Sequence, residues 1–564
     1  MTNRIRTLLI AAIAMLTLLP GAASAAATTE RISVTSAELE VTGGDSIDAA
    51  ISTNGVFVAF SSRSTDLVAG DTNGHSDIFV RDRAAGTTER VSVDSNEAEA
   101  TGGHSLYPSI SADGRFVAFS SKATNLVSGD TNAGSDVFVR DRMLGTTERV
   151  SVDSNEAQAG PGGDAGENSA ISADGRFVAF ESYAEGLTPG DVAGNQDIFV
   201  RDRTAGTTEQ VNLTSADEPA PNGFHSLPAI SADGNLVAFY SSSMGLVPED
   251  TSFVADAYVR DRGAGTTERV SVSSSEEEGD GQVEDTVAIS GDGRYVAFTS
   301  AATNLVPNDT NPTSDLFLRD LTMGTTERVN FNDAEEETLG GGGRYPSLST
   351  DGRFVAFETP AYNLAAGDDN GKSDIFVRDR LLGSVERVSV TTAGEQSSNQ
   401  SPGSYNPSIS GDGGIVVFDA EAVDLVGDDT NLNADVFVHA YDIDGDGVSD
   451  FTDNCPTVAN TGGQGDDDDG DIAGNACDAA GTANADCNQA ISSVDSLKIL
   501  RFNAGLSVAQ SEPCKDIGQA IGSGFDQGDV DCSGGINAVD ALKVLRAVAG
   551  LMVSTACADP PIGT

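Results

Sequence analysis

Aspartates at alternate positions mark the stretch of the sequence best suited to chemistry. Oxygen ligands at loop positions 1, 3, 5, 9 and 12, with a glycine at position 6 and a backbone carbonyl at position 7, hold Ca²⁺ in EF-hand loops. Residues 442–453 follow this pattern, and Gly447 stands where the sharp turn needs a glycine. The sequence therefore predicts a calcium loop with the ligands Asp442, Asp444, Asp446, Val448, Asp450 and Asp453.

A second, weaker loop follows after Asn454-Cys455-Pro456. Its predicted ligands are Asp467, Asp469, Asp471, Asn475 and Asp478. Ile472 stands at its glycine position, where a β-branched residue at positive φ is costly, so this loop should bind Ca²⁺ less tightly. Residues 442–478, with the order D-x-D-x-D-G…D-N-C-P…C-D, resemble a thrombospondin type 3 repeat, which implies a calcium-bound segment.

Two further loops recur at an offset of 45 residues, from Asp486-Cys487 to Asp531-Cys532. In the first, Gln489 replaces the glycine, and the predicted ligands are Asn484, Asp486, Asn488 and Asp495. In the second, Gly534 is present, and the predicted ligands are Asp529, Asp531, Ser533, Gly535, Asn537 and Asp540. A helical pattern follows, with Leu542, Leu545 and Val548 on one face and Gly550 as its stop.

This pair of loop-and-helix units resembles a type I dockerin module over residues 479–564. The resemblance implies docking onto a cohesin-like scaffold or a cell-surface partner. Loop positions 10 and 11, which contact cohesin in that family, are Ser493, Val494, Ala538 and Val539, and they differ from the common Ser-Thr pair. The alternative is a calcium-stiffened C-terminal domain without a cohesin partner.

All six cysteines lie beyond residue 450, as expected of disulfides that staple small exported domains. Six cysteines allow 15 pairings. Repeat symmetry suggests Cys487–Cys514 and Cys532–Cys557, which leaves Cys455–Cys477.

The elements that precede these loops are repeated strands. A D-x-F-V-R-D-R-type strand begins at seven aspartates separated by 59 or 61 residues: Asp77, Asp136, Asp197, Asp256, Asp315, Asp374 and Asp435. Each copy holds four short runs rich in Val, Ile, Phe and Thr, bounded by turn residues. In the second copy these runs are Pro108–Ser111, Phe116–Ser121, Asp136–Arg142 and Thr147–Val152.

Seven copies of four strands, with no helical period between them, predict a mainly β, seven-bladed β-propeller over residues 26–441. The last copy lacks its T-T-E-R-V-S-V strand, and an orphan copy stands at residues 28–34. We therefore expect the N-terminal strand to complete the last blade, which removes free sheet edges.

The repeat S-x-D-G-R-F-V-A-F followed by D-[IV]-F-V-R-D resembles the TolB-like, WD-related propeller family over residues 28–441. The usual proline is replaced in several copies by alanine, at Ala112, Ala173 and Ala232. The resemblance implies a binding platform more often than an enzyme.

Antiparallel strands place the short hairpin turns on one face and the long, acidic connections on the other, where we expect ligand binding. One long loop recurs as Asp71-x-Asn73-x-x-x-Asp77. It is interpreted either as a self-bonded turn or as a calcium loop, and the turn is favoured.

Composition narrows the function further. Arg4 and Arg6 precede an apolar run and Ala23-Ser24-Ala25, which predicts a signal peptide over residues 1–25 and a secreted chain without a membrane-spanning helix. A net charge of −55 argues against nucleic acid as a partner. The four histidines sit in unrelated repeat positions, there is no tryptophan, and no catalytic residue stands out.

The sequence therefore predicts a secreted, calcium-binding, multidomain binding or scaffold protein, with no enzymatic activity. The alternatives are a component of an extracellular polysaccharide-degrading complex, with glycoside hydrolase or carbohydrate-binding activity, and a cell-adhesion protein.

Overall fold

The structure is a computed structural model. It describes residues 28–440, except for 133, 161–164, 190, 192–193, 221–222, 249, 251–253, 312 and 398–402. Residues 28–441 form one compact unit. Within the described residues, no helix is long and apolar enough to cross a membrane.

The described residues of this unit form twenty-eight strands. The first three blades contain β2 Ser46–Ile51, β3 Phe57–Ser62, β4 Asp77–Asp82 and β5 Thr87–Arg90; β6 Ser105–Ile110, β7 Phe116–Ser121, β8 Asp136–Asp141 and β9 Thr146–Arg149; β10 Ala165–Ile171, β11 Phe177–Ser182, β12 Asp197–Asp202 and β13 Thr207–Gln210. The next two contain β14 His225–Ile230, β15 Leu236–Ser241, β16 Asp256–Asp261 and β17 Thr266–Arg269; β18 Val283–Ile289, β19 Tyr295–Ser300, β20 Asp315–Asp320 and β21 Thr325–Arg328. The last two contain β22 Arg344–Leu348, β23 Phe354–Thr359, β24 Asp374–Asp379 and β25 Ser384–Arg387; β26 Ser404–Ile409, β27 Ile415–Ala420, β28 Asp435–Ala440 and β1 Thr28–Arg31.

The strands form seven four-stranded antiparallel sheets, one for each repeat. The seventh sheet has the order β1-β28-β27-β26, so the N-terminal strand closes the ring as predicted. In that pairing Thr28 lies opposite Ala440, and Arg31 lies opposite Phe437. The predicted seven-bladed propeller is confirmed.

The strand boundaries agree with the sequence pattern except at the inner strand and the end of the outer one. In the second blade the inner strand was predicted over Pro108–Ser111, but it runs over Ser105–Ile110. The strand begins earlier than the apolar run and contains a β-bulge between Leu106 and Ser109. The outer strand ends at Arg149 instead of Val152.

Each pair of adjacent blades shares an apolar core. Within a blade the second and third strands stack a phenylalanine pair, such as Phe119 on Phe138 with ring centroids 6.0 Å apart. The same two rings pack against Val80 and Ile78 of the preceding blade. Because each blade buries the apolar face of its neighbour, the sheets need no helices to cover them.

The short turns between first and second strands lock blades together. Gly114 adopts φ +74°, and a Cβ built on it would lie 2.1 Å from the Phe57 ring of the preceding blade. The Arg142 guanidinium covers that ring, 4.6 Å from its centroid. These turns and the third-to-fourth turns define the short-turn face, and the opposite end of the strands defines the long-loop face.

A closed ring of seven backbone hydrogen bonds surrounds the axis at the short-turn face. Each first-to-second turn donates an N–H to the carbonyl of the next turn, with N···O distances from 2.7 to 3.4 Å. The accepting carbonyls belong to Thr53, Ala112, Ala173, Ala232, Gly291, Thr350 and Gly411. Proline has no N–H, so it could not donate this hydrogen bond at Ala112, Ala173 or Ala232.

Candidate functional site

The repeated Asp-x-Asn loop lies at the outer corner of each blade, where third and fourth strands meet. In the first blade the Arg90 Nη1 atom lies 2.7 Å from Glu99 Oε1, 3.4 Å from Asp71 Oδ1 and 3.6 Å from Asp77 Oδ2. Asn73 accepts the His75 N–H through its side-chain oxygen and donates its amide to Asp77. We call this group of residues, and its equivalents, the corner sites.

The corner carboxylates are close enough to hold a metal ion. Three such groups occur among the described residues, with ligand oxygens within 4.8 Å of one another: Glu40, Asp429, Asp435; Asp71, Asp77, Glu99; and Asp250, Asp256, Glu278. In each group the nearest cation is an arginine from the fourth strand, namely Arg31, Arg90 or Arg269. The asparagine side chain acts as an Asx turn, which is the structural interpretation that the sequence favoured.

The composition of the corner sites differs between blades. In the second and sixth blades Gln158 and Gln396 replace the glutamate, and their amides donate to Asp130 and Asp368. In the third blade both the arginine and the glutamate are lost, and Gln210 and Pro219 stand in their places. A glutamate therefore occurs only where an arginine balances it, as expected of a structural ion-pair group.

Burial sets the charge state of the corner carboxyl groups. Burial, together with the charge of a neighbouring aspartate, raises the pKa of Asp71 and of Asp309 to about 6. Glu99 and Glu337 have their pKa lowered to about 2 despite partial burial, because threonine and arginine donors hold their carboxylates.

The acidic connections between blades are used within the fold, contrary to the expectation that they decorate a ligand-binding face. Glu276 contacts Arg319 of the next blade, and Glu278 lies 2.8 Å from Arg269 Nη1. Asp280 accepts the N–H of Thr303. The same role recurs in Glu97, which contacts Arg140. Opposite charges in the framework therefore account for acidic residues that looked available in the sequence.

The inner strands place a different kind of group around the axis. In five blades a non-glycine residue of the inner-strand bulge adopts positive φ: Asp48, Tyr107, Leu227, Tyr345 and Asn406, with φ from 48° to 55°. The other two blades have a wider bulge, between Ala165 and Ser169 and between Val283 and Val287. Bulges re-aim side chains, and here they turn seven of them toward the axis.

These side chains line an axial cavity of about 490 Å³, which we call the axial cup. That volume is typical of small-molecule sites. Around the cup the seven bulge residues are Asp48, Tyr107, Asn168, Leu227, Thr286, Tyr345 and Asn406. They lie near the long-loop ends of their strands, whereas the backbone ring lies at the short-turn face. Tyr345 remains 47% exposed.

A second layer of polar residues, from the second strands, supports the cup. Its members at the equivalent position are Ser61, Ser120, Glu181, Tyr240, Thr299, Glu358 and Asp419. Glu181 accepts the Leu227 N–H at 2.9 Å and the Asn168 amide at 3.4 Å. Asp419 accepts the Asn406 amide at 3.2 Å. These contacts hold the bulges in place.

Sequence reasoning missed the cup because the repeats looked too alike to single out a pocket. The signal was present: the second-strand position after the repeated phenylalanine is Ser, Ser, Glu, Tyr, Thr, Glu and Asp in the seven copies. When the residue type at one position varies within an otherwise uniform repeat, that position is a candidate for a function that differs between the copies.

The histidines are less scattered than expected. His75 and His104 contact each other edge to face, with ring centroids 4.9 Å apart. His225 and His439 are buried, and burial lowers the pKa of each to about 4. The His439 ring lies 3.0 Å from Thr29 Oγ1 and so joins the closing strand to its blade.

The C-terminal predictions lie outside the described residues. They comprise the calcium ligands between Asp442 and Asp540, the cohesin-contact positions Ser493, Val494, Ala538 and Val539, and all six cysteines. They stay predictions from the sequence.

No protein-family model and no curated protein matches the sequence. Several solved structures are similar. An oligogalacturonate lyase from Vibrio parahaemolyticus is 11% identical, with 74% of this chain and 97% of that chain covered and a TM-score of 0.44. The β-propeller domain of the Trilobed protease from Pyrococcus furiosus is 12% identical, with 71% and 94% covered and a TM-score of 0.43. TolB from Acinetobacter baumannii is 14% identical, with 60% and 61% covered and a TM-score of 0.32.

Proposed function

We propose that the chain is a secreted, calcium-dependent binding protein whose propeller takes a small extracellular ligand, or one end of a larger one, in the axial cup. The observation that carries this proposal is the convergence of copy-specific side chains on one cavity, inside a ring whose other positions repeat. Aromatic, amide and carboxyl groups there offer directional contacts to a polar ligand.

The C-terminal segments supply the second half of the proposed function. The calcium loops over 442–478 and the dockerin-like module over 479–564 are assigned from their sequence motifs. In this proposal Ca²⁺ stiffens the first segment and folds the second, which attaches the protein to a cohesin-like scaffold or to a cell-surface partner.

The proposal is tested by filling the cup. Glycan and peptide arrays are probed with the mature chain, with Leu227→Trp, which fills the cup, and with Leu382→Ser, which changes an exposed residue on the short-turn face. We expect ligands that bind the wild type and Leu382→Ser but not Leu227→Trp. If no array ligand depends on Leu227, the cup is not a binding site.

The attachment half is tested separately with a chelator. EDTA should release the protein from its native extracellular scaffold while leaving array binding through the propeller intact. Attachment that survives EDTA contradicts the calcium-dependent tail.

A polysaccharide-degrading enzyme is the second candidate. Burial raises the pKa of Asp48 to about 6 and raises the pKa of Asp419 well above its usual value, so both carboxyl groups can carry a proton near neutral pH, as a general acid requires. Hydrolysis of a polysaccharide panel by the wild type, abolished by Asp48→Asn, would favour this candidate over pure binding.

A further inference from the structure

The seven cup positions and the seven supporting positions include four carboxyl groups, and three of these are concentrated in one sector, whereas the fourth, Glu181, lies in the third blade. Glu358, Asp419 and Asp48 come from the sixth, seventh and first blades, which are neighbours in the ring. Asp48 lines the cavity, and Asp419 and Glu358 stand in the supporting layer behind it. We call these three residues the acidic sector. The equivalent positions of the second blade carry no carboxyl group, since Tyr107 and Ser120 stand there.

Hydrogen bonds connect the acidic sector to neighbouring residues, but one of its carboxylate oxygens has no hydrogen-bond partner. Asp419 receives a backbone hydrogen bond from Asp48 and the side-chain amide of Asn406. The Oε1 atom of Glu358 accepts the Ser373 hydroxyl at 3.0 Å. Glu358 Oε2 is buried without a hydrogen-bond partner, in a residue only 5% exposed.

An unpartnered carboxylate oxygen in such a place is unfavourable unless a cation or a proton reaches it. The charged group that acts on Glu358 from its own blade is Arg344, which is exposed. The negative charges of Asp48 and Glu358 both act on Asp419. The sector therefore contains three carboxyl groups and one solvent-facing arginine, an excess of negative charge at the inner wall of a cavity.

We propose that the acidic sector of the axial cup binds its ligand through a protonated amine, which deepens and rests on the proposed binding function. An ammonium group carries three N–H donors on one small cation, so it can contact carboxylates contributed by separate blades. The Tyr107 and Tyr345 side chains line the same cavity, and their ring faces attract cations. The Asn168 and Asn406 amides supply neutral contacts for the rest of the ligand.

A bare metal ion fits this sector less well than an amine does. The described groups whose carboxylate oxygens lie within 4.8 Å of one another are at the corner sites, and the acidic sector is not one of them. A metal ion needs several oxygens converging on one point. An organic cation with additional hydrogen-bonding atoms instead matches dispersed carboxyl groups and a wide, aromatic mouth.

Amine binding should release protons from the sector. Burial raises the pKa of Asp48 to about 6 and also raises the pKa of Asp419 and Glu358, so the free cup retains protons near neutral pH. A bound ammonium favours the carboxylate forms and expels those protons. Affinity should therefore increase as pH rises from 5 to 7.5.

The test is calorimetric titration of the full mature chain at constant calcium concentration and about 0.15 M salt, which screens nonspecific attraction to the acidic surface. The probes are the trimer of glucosamine, which carries amines, the trimer of N-acetylglucosamine, which does not, and spermidine. We expect at least one amine probe to bind with proton release and the acetylated trimer not to bind.

Variants locate the binding. Asp48→Asn should weaken amine binding about tenfold or more, as expected for loss of a charged hydrogen-bond partner. Glu358→Gln serves as a second variant should Asp48→Asn fold poorly, with circular dichroism reporting the fold. Asp412→Asn removes the same charge at a short turn, where Asp412 accepts the Ser410 hydroxyl and the Gly414 N–H, and it should leave the affinity unchanged.

The outcomes distinguish failure of this inference from failure of the proposed function. Amine binding that persists in both acidic-sector variants, or no amine binding at all, overturns the inference. If arrays yield an amine-free ligand that depends on Leu227, the cup binds ligands but not through an ammonium group. If neither arrays nor amines show a Leu227-dependent ligand, both proposals fail.

Discussion

At the outer corner of each blade the seven copies place nearly the same residues, whereas at the axis they place five residue types in seven positions. The corner sites pair carboxylates with arginine in six of the seven blades, and the one blade that lacks the arginine, the third, also lacks the glutamate. The cup residues show no such compensation. Repetition therefore builds the framework, and departure from repetition builds the candidate site.

The largest expected effect on stability comes from a substitution in a short turn that contacts the preceding blade. Gly175 adopts φ +71°, and a Cβ there would lie 2.1 Å from the Phe116 ring. Gly175→Ala combines a steric clash with an unfavourable backbone conformation, and we expect it to lower the free energy of unfolding by about 3 kcal/mol. Far-UV circular dichroism during urea unfolding measures the change.

Gly74→Ala is the matched control. Gly74 also has positive φ, at +68°, but no atom lies within 4 Å of its Cβ position. Its cost should stay at about 1 kcal/mol. Equal effects of the two substitutions would show that the contact between blades contributes nothing.

Much of this framework is predictable from the sequence. The D-G turns, the period and the orphan strand at residues 28–34 determine the blade number and the way the ring closes. Such features are local or repeated, so each copy confirms the others. The acidic connections were misjudged because the partner of Glu97, Arg140, is 43 residues away in sequence and lies in the next blade.

The cup was not predictable for a related reason. A bulge changes which face each inner-strand residue occupies, and the alternation of Ser105–Ile110 does not reveal where it falls. The tyrosines, amides and carboxyl groups of seven distant segments meet only when the ring closes. Comparing the copies position by position shows which positions differ, but the closed ring is needed to show that they meet.

Removing one hydrogen bond from the backbone ring should have an intermediate effect on the free energy of unfolding. Ala173 donates its N–H to Ala232 and accepts from Ala112, each at 3.0 Å. Ala173→Pro introduces the proline that is usual at this turn in TolB-like repeats but removes the N–H donor, and should lower the free energy of unfolding by about 1–2 kcal/mol. Ala173→Ser retains the N–H and should change the urea midpoint little. If Ala173→Pro leaves the urea midpoint unchanged, the hydrogen bond from Ala173 to Ala232 does not contribute to stability.

The smallest effect on stability concerns protonation, and its sign distinguishes a corner-site aspartate, Asp309, from a short-turn aspartate, Asp202. The pKa of Asp309 is raised to about 6, so its contribution is favourable at low pH and is lost as pH rises from about 4 to about 6. The pKa of Asp202 is lowered to about 2, chiefly by the Arg176 hydrogen bond, so its contribution is present above pH 4 and is lost in acid. These signs predict opposite effects of the two substitutions. Asp309→Asn should stabilise the propeller at pH 7.5 by about 1 kcal/mol after solvent screening and should have no effect at pH 4. Asp202→Asn should destabilise the propeller at pH 7.5. Urea unfolding curves measure both effects, and a shift of both variants in the same direction at pH 7.5 would contradict the assigned charge states.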